Sequence, residues 1–254
     1  MYHNISEYKE NGVHPYYQMN TSPDIFVEHM RFLYDNNYSV TPLQDIKKYF
    51  ESGGKITNKC IVITFDDGYH DFYTKAFPVL QKYGFSSTVF LPTVFIKNKR
   101  LKSKKKQTLI WNEVRELHKN GVKFGSHTVT HPQLKFLKKE NIEYEIRHSK
   151  EVIEDKLGES IDSFSYPFAF PEEDKEFRKY LRDILQKFGY KYGVSTRIGT
   201  ASKKDGIFFL KRIPVNSCDD ISLFKAKLEG GYDWLYNIQL ASKIIKSKLH
   251  HFYQ

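Results

Sequence analysis

Apolar residues along this chain alternate between short dense runs and longer, spaced stretches. CIVITF (Cys60–Phe65), SSTVFLP (Ser86–Pro92), VKFGSH (Val122–His127), SFSYPF (Ser163–Phe168), YGVST (Tyr192–Thr196) and FFLKRIPV (Phe208–Val215) are β-rich runs of buried-strand length. Between them lie stretches with helical spacing. The segment from Thr21 to Asn37 opens with Ser22 as a cap and Pro23 in the first turn. The segment from Glu140 to Gly158 places Ile142, Ile146, Ile153 and Leu157 on one face and stops at glycine. Helices are also predicted over Asp71–Gly84, with Pro78 kinking or breaking it, over Ile110–Gly121, over Glu172–Gly189, and in a basic tail from about Tyr232. The opening MYHNI reads as the end of a first strand, which leads to the expectation of further residues upstream. Repeated β–α units without a linker or internal repeat predict one α/β domain over residues 1–254, its parallel strands closed or nearly closed into a barrel.

Composition narrows this picture modestly. A chain of 254 residues with 40% hydrophobic and 16% aromatic residues can bury a sizeable core. No run is long enough to span a membrane and no basic-then-apolar leader is present, so the expectation is a cytoplasmic protein. Export or attachment to the cell envelope is expected instead if an N-terminal segment has been removed. Cys60 and Cys218 are far apart and lack metal spacing, which reads as two reduced, largely buried thiols. The formal charge of +10 attracts anions, yet no zinc-finger spacing or aromatic RNA-binding strand accompanies it, so no nucleic-acid partner is expected. The densest cationic run, Lys97–Gln107, reads as a solvated loop, the alternative being a lid that attracts an anionic glycan or surface.

Candidate chemistry sits at strand ends. Asp66 and Asp67 close CIVITF before a turn at Gly68, and adjacent carboxylates repel unless a cation rewards their pairing. His127 and His131, four residues apart, follow the strand VKFGS. Two histidines and a carboxylate are a common set for a catalytic divalent metal with one position open. Barrels of parallel strands collect their chemistry at the C-terminal ends of those strands. A bound cation acidifies its water, a neighbouring carboxylate takes the proton, and a fixed N–H stabilises the oxyanion.

TFDDGY followed about 60 residues later by SHTVTHP resembles the polysaccharide deacetylase (NodB-homology) family, carbohydrate esterase family four. The resemblance runs from MYHNI through RIPV. It implies a distorted (β/α) barrel and a hydrolase that removes N-acetyl groups from N-acetylhexosamine units of a polysaccharide or glycan precursor. It also implies a divalent metal ion, zinc foremost, with cobalt, nickel or another ion as alternatives. Carried over by position, Asp66 matches the general base, and Asp67, His127 and His131 match the metal ligands. SFSYPF resembles the motif lining the groove, so Tyr166, Pro167 and Phe168 are the candidates there, with the Phe168 N–H facing the oxyanion.

Two departures stand out. Ser165 occupies the place where many members carry an arginine that orients the base. Arg212 is a possible substitute, a structural ion pair being the other reading. The C-terminal Leu-x-His strand that supplies the leaving-group acid in many members has no good match. His250 and His251 lie in the basic tail, and His14 lies in an N-terminal loop. A catalytically weakened or inactive glycan-binding member of the fold is therefore the alternative reading.

Overall fold

The computed structural model describes residues 1–7, 12–14, 17–51, 59–100 and 106–252, with backbone only from 246 onward. In chain order the strands are β1 (Asn4–Ile5), β2 (Asn20–Thr21), β3 (Ser39–Val40), β4 (Cys60–Ile61), β5 (Thr64–Phe65), β6 (Thr88–Leu91), β7 (Lys123–Ser126), β8 (Ser163–Ser165), β9 (Tyr192–Ile198) and β10 (Leu210–Arg212). The helices are α1 (Pro23–Asp35), α2 (Ile46–Glu51), α3 (Phe77–Tyr83), α4 (Trp111–Lys119), α5 (Lys139–Leu157), α6 (Lys175–Lys187), α7 (Ile221–Leu228) and α8 (Leu235–Phe252).

Six strands pair in parallel in the order β10–β9–β8–β7–β6–β5. The sheet curls, with helices outside, into the distorted (β/α) barrel that the alternating pattern predicts. Its two edges are bridged by the first residues of the chain. Tyr2 donates to Thr64 O (2.9 Å) and accepts from Asp66 N (3.1 Å), while Met1 O accepts from Val215 N just beyond β10 (3.1 Å). This closure brings β5 and β10 together although well over a hundred residues separate them.

Strand alternation sorts the core into layers. Val89 and Leu91 of β6 face the helices and join Phe26, Met30, Phe65 and Phe72. Phe90 points inward with Tyr192, Val194 and Leu210. That inward ring leaves no room for a side chain on the next strand. A Cβ at Gly125 would lie 2.5 Å from Phe90 and 2.6 Å from the Ser163 hydroxyl. A further cluster around Ile146, Phe164, Phe170 and Leu181 packs α5 and α6 on β8.

Several expectations need correction. CIVITF is two strands, because Cys60–Ile61 pairs with β3 before Thr64–Phe65 changes partner to β6. The helix expected over Asp71–Gly84 does break in two, a π-type turn over Phe72–Ala76 preceding α3, with Pro78 in the first turn of the second piece. The Lys97–Gln107 run is solvated over Lys97–Lys99, as expected, but is tied at both flanks. Lys97 bridges Ile110 in parallel fashion, and Arg100 pairs with Glu113; residues 101–105 lie outside the described residues. Cys60 is half-buried and Cys218 is exposed rather than buried, and both are free thiols. Among the described residues no helix is long and apolar enough to cross a membrane.

Candidate functional site

Asp66 and Asp67 leave β5 at its C-terminal end, at the mouth of the barrel. Asp67 and Gly68 both adopt left-handed backbone (φ 70° and 60°), so the chain reverses at once and the two carboxylates diverge. Glycine takes the second position without strain, where a Cβ would lie 2.7 Å from Leu91 Cδ2. Thr128, His131 and Phe168 share this uncommon conformation (φ 68°, 59° and 55°). Strained backbone of this kind concentrates where side chains must be aimed.

The loop from His127 to His131 is held by α5. Buried Glu145 accepts from Val129 N (2.7 Å), Thr130 N (2.9 Å) and Thr130 Oγ1 (2.7 Å), and His131 N donates to Thr128 Oγ1 (3.0 Å). The preceding loop after β6 adds Thr93 N to Thr128 O (3.1 Å) and Val94 N to Val129 O (2.9 Å). The imidazole Nδ1 of His127 lies 2.8 Å from Ser165 O and donates to that carbonyl, which leaves Nε2 with its lone pair facing the mouth. His131 is pushed below its ordinary pKa by burial and by His127, against the pull of Asp67, so it too favours the neutral, ligand-competent form.

Asp67, His127 and His131 therefore present one ligand atom each within a small volume. The three separations are 3.1 Å between the two Nε2 atoms, 3.4 Å from His131 Nε2 to Asp67 Oδ1, and 3.6 Å from His127 Nε2 to the same oxygen. A tetrahedral ion with bonds of roughly 2.0–2.1 Å has an edge of about 3.3 Å, so the triangle fits a divalent metal with its fourth position open.

Asp66 takes no part in that triangle. It is 2% exposed and lies in a bidentate pair with Arg212, whose two terminal nitrogens each donate at 2.7 Å. Ser165 Oγ donates to Asp66 Oδ2 (3.2 Å) and accepts from Arg212 (3.0 Å). Arg212 Nε donates to Ser195 O (3.0 Å), and a register shift of β10 on β9 lies between Leu210 and Arg212. Burial pushes the Asp66 carboxyl up, but Arg212, with His127 and His3 adding to it, holds it well below the usual carboxylate range. Beside Asp66, where Ser165 stands in the third motif, the arginine comes from β10, with Ser165 bonded to both partners.

One neighbour escaped sequence reading. Tyr2 pairs with Phe65, so His3 stands in register with Asp66 on the same side of the barrel wall. Its imidazole is lowered chiefly by burial and feels Asp66, Asp67, Arg212 and His127. His3 thus places an imidazole beside the two acids from the N-terminal end of the chain. The signal was its place on the strand that abuts β5, which no local motif announces. His14 packs on Tyr17 (6.0 Å between ring centres), and the side chains of His250 and His251 fall outside the described residues.

The SFSYPF residues divide. Tyr166 donates its N–H to Val194 O and packs its ring against Phe164 and Phe170, and Pro167 is buried too, so neither lines a groove. Phe168 is 46% exposed with its ring 4.7 Å from that of His131. Its N–H has no protein acceptor among the described residues.

Comparison with known proteins gives the family and the fold. A model of the family described as polysaccharide deacetylase matches residues 53–193. YxkH of Bacillus subtilis (strain 168), assigned to the polysaccharide deacetylases, is 30% identical over 204 residues, covering 80% of this chain and 68% of its own. The poly-β-1,6-N-acetyl-D-glucosamine N-deacetylase of Staphylococcus aureus (strain MSSA476) is 23% identical over 180 residues, and the match covers 66% of this chain and 58% of that enzyme. The Streptococcus pyogenes deacetylase PplD, solved in complex with acetate, shares the fold with a TM-score of 0.75 and 23% identity, over 89% of this chain and 95% of its own. On the family match and the YxkH alignment together, the chain belongs to the polysaccharide deacetylase family.

Proposed function

We propose that this chain is a metal-dependent hydrolase that removes N-acetyl groups from N-acetylhexosamine units of a polysaccharide or glycan precursor. The observation that carries the reading is the division of labour between two adjacent acids. Asp67 completes a tetrahedral face with His127 and His131, while Asp66 is clamped by Arg212 beside that face. A divalent cation held by Asp67, His127 and His131 supplies Lewis acidity, polarising the amide carbonyl and acidifying a water. Zinc suits the mixed nitrogen and oxygen donors, and cobalt or nickel can replace it.

The remaining work falls to the chain's own residues. Asp66 stays ionised at neutral pH and accepts the proton of the attacking water, its orientation fixed by Arg212 and Ser165. The Phe168 N–H, held in place by its left-handed backbone, donates to the carbonyl oxygen as charge develops there. The departing amine needs the proton that Asp66 takes from the water, and His3, in register with Asp66, relays it in the protonated form that the Asp66 and Asp67 carboxylates favour against burial. Phe168 offers its exposed ring to a sugar face. Arg212 and His3 supply the two groups that the third and C-terminal motifs lack, which favours an active enzyme over a weakened glycan-binding member. The S. aureus relative is named for a β-1,6-linked N-acetylglucosamine polymer. Oligomers of that polymer are therefore the first substrate to test.

Asparagine substitutions separate the two acids. Asp67→Asn should lose metal and activity together, with partial rescue by excess metal. Asp66→Asn should keep its metal while acetate release falls about 10²-fold or more, without rescue. Metal content and acetate release measured side by side give the answer, and the reverse pattern would swap the two roles.

A further inference from the structure

A second concavity lies outside the barrel, between α6 and the segment that returns from β9 to β10. Lys175, Arg178, Lys179 and Arg182 are spaced three, four and seven residues along α6, which places them on one helical face. Lys204 lines the same cavity of about 390 Å³, which has Phe209 among its lining residues. The Arg178 Nε is closed to solvent and has no acceptor among the described residues. Among the described residues only one acid, Asp205, lines the cavity, and its carboxylate is already engaged by Arg197 (3.3 Å), Lys211 (3.4 Å) and Ser202 N (2.8 Å). Arg182 touches Asp183 (3.3 Å), while Lys175, Arg178, Lys179 and Lys204 have no acidic partner among the described residues.

Five cations around one concavity repel each other, and a buried guanidinium N–H without an acceptor adds to that cost. An oxyanion removes both penalties. Guanidinium forks match phosphate geometry, and lysines add point charge around it. We propose that this groove binds phosphoryl groups of an anionic glycan, a polymer joined or decorated by phosphodiesters. Its aromatic neighbours argue against single-stranded nucleic acid, which stacks its bases on exposed rings. Phe208 is 7% exposed, and Phe209 is packed against Tyr166 and Phe170 (6.0 and 5.3 Å between ring centres). None of the groove's lining residues belongs to the Asp67–His127–His131 triangle or to the Asp66–Arg212 pair. The choice of a glycan as carrier rests on the function proposed above; the oxyanion chemistry does not.

Titration calorimetry at low salt tests the chemistry with inorganic tripolyphosphate. Arg178→Gln/Arg182→Gln should weaken binding about tenfold or more. Lys179→Gln/Lys204→Gln, at exposed positions, should weaken it several-fold and guards against misfolding of the first variant. Lys82→Gln/Lys123→Gln removes two charges elsewhere and should bind like the parent. Acetate release from a neutral N-acetylglucosamine oligomer should stay unchanged in all three. Absence of tripolyphosphate binding, or equal weakening by the Lys82/Lys123 control, would overturn the site. The carrier is tested by comparing a poly(glycerol phosphate) chain with a single-stranded oligonucleotide of equal charge. Tighter binding of the oligonucleotide would overturn the glycan assignment, and tighter, Arg178-dependent binding of the glycerol phosphate chain would support it.

Discussion

Replacing Arg212 by leucine would leave Asp66 buried with no compensating charge. Arg212 gives that carboxylate both of its 2.7 Å charge-assisted hydrogen bonds, and the two side chains are 2% and 6% exposed. Breaking a buried pair by removing one partner costs about 3–5 kcal/mol. Unfolding entropy for a chain of this size converts that loss into a melting-temperature drop of about 6–10 °C at neutral pH. The pH dependence has a definite sign. In the parent the Asp66 carboxyl is depressed, so its contribution is present above the unfolded carboxylate range and is lost as pH falls through the folded value. In the variant burial, the largest influence and now opposed only by His127 and His3, raises the carboxyl, so stability falls as pH climbs above about 4. The gap between parent and variant should therefore widen from pH 4 to pH 8 in thermal melts followed by circular dichroism. Adding Asp66→Asn to the variant removes the stranded charge and should recover at least half of the loss. Activity should fall about 10²-fold at neutral pH and recover partly toward alkaline pH, because Asp66 is then ionised again. A melting temperature within 1 °C of the parent, or a gap that does not change with pH, would refute the pairing as the source of the Asp66 charge state.

Two further substitutions probe neighbours of the same site. His3→Gln should leave metal content intact and lower amide hydrolysis about 10²-fold, while 4-nitrophenyl acetate, whose leaving group needs no proton, should lose less than about tenfold. Equal losses on both substrates would remove His3 from the leaving-group role. Glu145→Ala strips three hydrogen bonds from the Val129–Thr130 backbone and side chain and should weaken metal affinity about 10–100-fold, as loss of an outer partner does at other metal sites. Unchanged affinity by competition with a fluorescent chelator would mean that the histidine loop holds itself.

The strand and helix pattern made the barrel legible because burial imposes its period on every element, whatever the chemistry. The ligand triangle was legible for a different reason. Asp67 sits next to Asp66, and His127 and His131 are four residues apart, so local spacing alone placed each donor at a strand end. Arg212 was half-legible. Leu210 faces the interior, and two residues further along β10 the same face is presented, but only barrel closure sets that face against Asp66. His3 was hidden for the same reason, since its position depends on Tyr2 pairing with Phe65 across a sheet edge. Tyr166 misled because its motif position suggested the groove, whereas strand alternation turned its ring into the core. The split of CIVITF was invisible because a change of partner leaves no mark on hydropathy.

The central claim is that Asp67, His127 and His131 hold one catalytic divalent ion. Its most direct test titrates zinc or cobalt into chelator-stripped protein while acetate release from β-1,6-linked N-acetylglucosamine oligomers is followed. The expected result is negligible turnover at the start, a linear rise to a break at one equivalent per chain, and loss of that break in Asp67→Asn. Full turnover by the stripped protein, or an unaltered break in Asp67→Asn, would contradict it.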